Sequence, residues 1–249
     1  MSLIVHPKVI KLKNELSQLI FEYDNLTNHI CPEIERIYVL EFGRYEHKLY
    51  KIELEIDKLK RKIQLIQIEI NHENEIDLNK IENTLKEEFE EYEKQVQAQI
   101  DEIKFLEEND VEKLSPEDSK KFKKLYHMLI KRLHPDLNPN QSFFELNLFY
   151  RTVYCFENGD LEGLESVAAI LPDEEFKEVS EIDHMEKLVG EYREKIEKLK
   201  NDYPYNKKGL LDNKGAGEEY KIMLLELISD RKETVKKLEE KINGLIENG

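Results

Sequence analysis

Apolar residues recur along this chain at helical spacing, with little of the strict alternation that marks strands. Leu12, Leu16, Leu19, Tyr23, Leu26 and Ile30 follow one another by alternating steps of four and three, the seam of a heptad. Pro32 should end that first helix, because proline disfavours helical geometry in the residue before it and has no amide hydrogen. It can open the next helix, where that hydrogen has no use. The second helix carries the strongest pattern: Tyr45, Leu49, Ile52, Ile56, Leu59, Ile63, Ile66 and Ile70, with Glu53, Glu55, Lys58, Lys60 and Arg61 between them. From Pro32 to Asn71 it would be about 60 Å long. The polar run from Asn71 to Glu75 reads as a turn and Asp77 as the N-cap of a third helix, marked by Ile81, Leu85, Phe89, Tyr92, Val96, Ile100, Ile103 and Leu106. Three such helices with short connections must alternate in direction, so residues 1–109 are expected to form an elongated antiparallel coiled coil.

Residues 110–172 differ in character. Asn109-Asp110 breaks the charge-rich helix, and Ser115-Pro116-Glu117-Asp118 has the signature of a new one, with Ser115 as N-cap and Pro116 at the first helical position. Phe122, Leu125, Tyr126, Leu129, Ile130 and Leu133 then define one helical face. The segment from His134 to Asn140, with two prolines and two asparagines, must be a loop. A helix from about Gln141 to Glu157 follows, with Phe144, Leu148, Phe149, Thr152, Val153 and Phe156 inward. Asn158-Gly159 closes it in a left-handed cap. Asp160 caps a short helix through Leu161, Leu164, Val167, Ala168 and Leu171, and Pro172 closes the domain. Residues 181–249 read as a helical hairpin, with Met185, Leu188, Tyr192, Ile196 and Leu199 on one arm and Tyr220, Leu224, Leu227, Leu238, Ile242 and Leu245 on the other. Arg231 interrupts the second seam. The fold class expected is therefore all-α: coiled-coil helices, a small central helical domain and a C-terminal hairpin.

Composition agrees with long amphipathic helices. Charged residues make up 37% of the chain, apolar ones only 39%, and there is no Trp. The net charge of −16 repels phosphate backbones, which argues against nucleic-acid binding. That charge is uneven. Between residues 119 and 133 stand Lys120, Lys121, Lys123, Lys124, Lys131 and Arg132 with no acid, so the remainder of the chain carries −22. Cys31 and Cys155 are far apart, which suits a reducing compartment and small core residues, and no Cys-rich zinc site is present. The N-terminal MSLIVHPKVIKLKNEL lacks the apolar run of a signal peptide, and no stretch is apolar for long enough to span a bilayer. A cytoplasmic protein without a membrane partner is expected.

The sequence FKKLYHMLIKRLHPDLNPN resembles the second helix and loop of the J-domain family of co-chaperones, and LFYRTVYCFENGDLEGL resembles its third helix and the start of its fourth. The Gly159-Asp160-Leu161 ending is similar to that of a subset of bacterial J-domains. A given tripeptide arises by chance in a chain this long on the order of one time in a hundred. The signal is the position of His134-Pro135-Asp136 between a basic amphipathic helix and an aromatic-rich one. At 100° per residue Lys120, Lys124, His127 and Lys131 form a stripe opposite the Phe122/Tyr126/Leu129/Leu133 face, flanked by Lys121 and Arg132. Like charges one turn apart repel, and an acidic partner would relieve that repulsion.

The resemblance implies that Lys120, Lys121, Lys124, Lys131 and Arg132 meet an acidic surface of a DnaK-type chaperone. It also implies that His134, Pro135 and Asp136 reach the crevice beside that chaperone's interdomain linker, and that docking stimulates ATP hydrolysis by the chaperone. Pro135 would stiffen the loop, and Asp136 would accept charge-assisted bonds from a partner arginine. The resemblance covers about a quarter of the chain. Departures from the family are the central position of the motif, Leu137 where Lys is common, Cys155-Phe156 where Ala-Tyr is common, and no Gly/Phe-rich or Cys-rich module. A first helix of the family's pattern is also missing, and the segment from Ile100 to Leu106 is a candidate substitute.

No catalysis, cofactor or metal is expected. His134 and Asp136 are too close in one tight loop to converge on a substrate atom, and no Gly-rich phosphate loop, nucleophile elbow or H-E-x-x-H occurs. The coiled coils would bind an unknown client protein or self-associate as a homodimer. The competing expectation is a structural coiled-coil scaffold with an inactive J-like domain.

Overall fold

The computed structural model describes residues 7–109, 114–171 and 182–248. Helices are the regular elements of these residues, with no strand among them. Asp110 and Pro172, read from the sequence as the two ends of the central segment, lie outside the described residues. No helix among the described residues is long and apolar enough to cross a membrane.

Helix α1 (Pro7–Asn25) runs into a π-helical turn (Leu26–Ile30), which leads directly into α2 (Cys31–Asn71). The break expected at Pro32 does not occur. The Cys31 amide donates to the Leu26 carbonyl, one residue further back than an α-helix would allow, and this wider turn lets the helix continue past a residue with no amide hydrogen. Helix α3 (Leu78–Glu108) begins at Asp77, whose carboxylate accepts from the amides of Asn79 and Lys80. Helix α4 (Pro116–Leu133) begins at Ser115, which accepts from the Asp118 amide. Helix α5 (Phe143–Glu157) opens on a complete capping box between Ser142 and Glu145. Its far end turns through Gly159 at φ 67, a conformation open to glycine because it lacks a Cβ. Helices α6 (Leu161–Ile170), α7 (Ile182–Asn201), α8 (Lys208–Asp212) and α9 (Lys214–Asn248) complete the order.

The chain forms two compact units, and neither is a single continuous stretch. The first joins residues 1–35 to 111–208, and the second joins 36–110 to 209–249. This division cuts across the consecutive segments 1–109, 110–172 and 181–249. The arms read as a C-terminal hairpin go to different units, α7 to the first and α9 to the second. Each arm has found a seam of matching period in the N-terminal half. In the first unit α7 lies parallel to α1, with Lys8–Glu186 (2.7 Å), Glu15–Arg193 and Glu22–Lys200 (2.6 Å) as ion pairs one heptad apart. In the second unit α2 and α3 run antiparallel, tied by Arg44–Glu107, Lys58–Glu93 and Arg61–Glu88. Along α2 also lies α9, in parallel, with Arg231 paired to Glu53 (3.5 Å) at the seam position where an apolar residue was expected. Exposed pairs like these contribute little stability each, so they set register more than energy. Ile63, Ile66, Ile81, Leu85 and Ile242 form one core of the second unit, and Ile52, Ile56 and Ile228 another.

The core of the first unit is larger. It draws on α1 (Leu12, Leu16, Ile20), α4 (Phe122, Tyr126, Leu129, Ile130, Leu133), α5 (Leu148, Phe156), α6 (Leu164, Val167) and α7 (Met185, Leu188). At its centre Tyr126 and Phe156, both fully buried, stack with centroids 3.6 Å apart, and Phe122 stacks on the other side of Phe156 at 5.1 Å. The His29 ring, from the π-helical turn, closes the cluster edge-on to Phe156 at 4.4 Å.

An ionisable carboxyl borders this core. The Tyr126 hydroxyl donates to the Asp24 carboxylate at 2.7 Å. Burial, with a smaller push from Glu157, raises the Asp24 pKa to about 6, against the opposing effect of the Tyr126 bond. Below the unfolded value near 3.8 the carboxyl is neutral in both states and costs nothing. Between that value and about 6 the unfolded chain gives up the proton that the folded chain keeps, so stability falls across this window and levels off above it, where the folded protein holds a buried carboxylate. Asp24→Asn keeps an acceptor for Tyr126 and removes the charge. It should stabilise the protein by about 1–3 kcal/mol at pH 7.5 and by almost nothing at about pH 3, measured by denaturant unfolding at both pH values.

Candidate functional site

The site expected from sequence lies on α4 and the loop that follows it. The α4 face opposite the core carries Lys120 and Lys124 exposed and Lys131 half-buried. Lys121 is exposed and paired with Glu165 of α6, and Arg132 is half-buried. His127 does not belong to this stripe. Its ring packs against Phe21 of α1 at 5.3 Å, with Nε2 3.5 Å from the Ser17 hydroxyl. Burial lowers its pKa, and the nearby Lys131 charge lowers it further. The reason lies in α1, which packs on α4 along the edge where His127 sits. The same packing decides which helix joins α4 and α5. Residues 100–106 fall in the second unit, with Ile103 beside Gly43, whereas α1 contributes to the core of α4 and α5.

The loop is held from both sides. The His134 amide donates to the Ile130 carbonyl, finishing α4. Leu137 is fully buried in the core of the first unit and anchors the chain two residues beyond Pro135. The Asn138 carboxamide donates to the carbonyls of Arg132 (2.8 Å) and Lys131 (3.2 Å), and more distantly to that of His134 (3.4 Å). These are among the last carbonyls of α4, which have no partner within the helix. The Asp136 amide donates to His134 Nδ1 at 3.1 Å. The His134 ring lies edge-on to Phe149 of α5 at 5.1 Å, and its side chain is 13% exposed. Asp136 is the more open of the two, with a side chain 36% exposed.

These bonds fix the state of the imidazole. Nδ1 accepts a hydrogen bond, so the ring proton sits on Nε2. Burial holds the His134 pKa below the ordinary histidine range, against the opposing pull of the Asp136 carboxylate 3.9 Å away. The site therefore presents, near neutral pH, an uncharged imidazole, a proline ring and a partly exposed carboxylate beside a row of lysines.

Phe144, expected inward, is 51% exposed: it lies in the first turn of α5, one turn ahead of Leu148, where the buried face of that helix begins. Asn138 and Phe149 were not singled out as part of the site. The cue for Asn138 was a side-chain donor five residues beyond a helix end, in a segment whose prolines exclude backbone alternatives. Among the described residues no group of three or more His, Cys, Asp or Glu side chains is placed to hold a metal ion. No family model, curated protein or solved structure matches this chain.

Nitrogen NMR of the histidines tests the loop directly. His134 should be the neutral Nε2–H tautomer at pH 7 and should titrate below the range of an exposed histidine. A proton on Nδ1, or an ordinary titration, would contradict the hydrogen bond to Asp136.

Proposed function

We propose that this chain is a cytoplasmic J-domain co-chaperone that docks on a DnaK-type chaperone and stimulates its ATP hydrolysis. The observation that carries the reading is the clamped loop. His134-Pro135-Asp136 stands at the end of a basic helix whose Lys120 and Lys124 are free of the core, and Asn138 and Leu137 hold its backbone in one conformation. A preorganised loop loses less entropy on docking, and a row of lysines speeds the encounter with an acidic surface. The packing of α1 on α4 also suits the reading. It supplies a first helix to the α4–α5 pair, with α2 and α3 as an excursion between first and second helices. In this arrangement the antiparallel helices of the second unit form the coiled coil that takes a client or a second copy of the chain. The protein itself performs no chemistry.

One observation favours the rival reading of a structural scaffold with an inactive J-like domain: the His134 ring is largely covered. The two readings part in an assay of ATP turnover by a DnaK-type chaperone. On the co-chaperone reading the wild type raises turnover several-fold and Asp136→Asn reduces that stimulation at least about tenfold, since it removes a charge-assisted bond. A folded wild type without effect on the chaperone of its own organism would support the scaffold.

A further inference from the structure

The three residues of the tripeptide are not equally available to a partner. The Asp136 side chain is 36% exposed and that of His134 only 13%. His134 turns Nδ1 inward to accept the amide hydrogen of Asp136, and its ring is pinned edge-on by Phe149. A side-chain acceptor on one residue bonded to the amide two residues on is the geometry of an Asx turn, in which an Asn or Asp oxygen does what the imidazole nitrogen does here. The turn is reinforced from below. The Leu137 and Asn138 amides both donate to the His134 carbonyl, at 3.0 and 2.9 Å, and the Asn138 carboxamide ties the loop to the end of α4.

We infer that His134 is a positioning residue: its Nδ1 fixes the backbone at Asp136 and so aims the carboxylate that, on the co-chaperone reading, meets the partner. The inference rests on the co-chaperone reading and assigns a division of labour within it. It requires only an acceptor where Nδ1 now stands. The oxygen of an Asn side chain falls close to the place of Nδ1, whereas that of Gln reaches toward the place of Nε2.

The experiment compares His134→Asn with His134→Gln in the full chain, reading stimulation of ATP turnover by a DnaK-type chaperone over a range of co-chaperone concentrations. The Asn variant should stimulate within about threefold of wild type, while the Gln variant should lose about tenfold or more, the size of one hydrogen bond. A Gln variant that keeps activity while Asn loses it would assign the histidine's role to Nε2 and a direct contact, and would overturn the inference. Equal loss in two variants whose thermal unfolding matches wild type would overturn it too. Hydrogen exchange of the Asp136 amide, measured without the chaperone, separates the two levels. Protection in wild type and His134→Asn but not in His134→Gln supports the positioning role, and its loss in His134→Asn defeats that role. A wild type that stimulates nothing defeats the co-chaperone reading instead.

Discussion

The stack of Tyr126 on Phe156 is the contact on which the first unit depends. It joins α4 to α5 at their centre, and both rings are fully buried. Two short helices cannot bury two large rings alone, because each covers only one side. Phe122 takes the far face of Phe156, the His29 ring takes its edge, and α1 with α7 closes the remainder. Rings of this size dominate the apolar area removed from water, so the core forms only when residues near the N-terminus meet residues more than a hundred positions away. That requirement gives the unit its discontinuous chain, and α2 and α3 are accommodated as an excursion between the two parts of one core.

The loop inherits its rigidity from this core. Leu133 at the end of α4 and Leu137 beyond the tripeptide are both buried in it, so the chain between them is short and tethered at each end. Polar groups left over by the turn are then satisfied locally, the α4 carbonyls by Asn138 and the Asp136 amide by His134. One element opposes stability. Asp24 holds a carboxylate within hydrogen-bond reach of the central tyrosine, where burial disfavours its charge.

Much of the helical content was legible because period and caps are local properties. The seams at Leu12, Leu16 and Ile63, the caps at Asp77, Ser115 and Asp160, and the left-handed Gly159 all sit where spacing and turn chemistry put them. Partner choice was not legible, because a heptad seam says that a helix packs and not on which neighbour. The seam at Met185 and Leu188 therefore looked like half of a hairpin and proved to belong with α1. Pro32 misled for a related reason. Its local effect is to break a helix, and a π-helical turn absorbs that effect when the helix gains by continuing. His127 fell on the lysine face of a helical wheel, and only the arrival of α1 from another part of the chain turned it into a packing residue. In the loop the tripeptide was evident and its supports were not. Asn138 acts on carbonyls fixed by the folded helix end, and Phe149 reaches His134 only once α5 has returned along α4.

On the co-chaperone reading, α4 and its loop form the surface that meets the chaperone. Backbone amide NMR of the full chain, recorded with and without a DnaK-type chaperone in its ATP-bound state, tests that claim most directly. Perturbations are expected along Lys120, Lys124 and Lys131 and through Pro135 to Asn138, with little change in α2, α3 and α9. Perturbations confined to those three helices, with α4 and the loop unmoved, would contradict it.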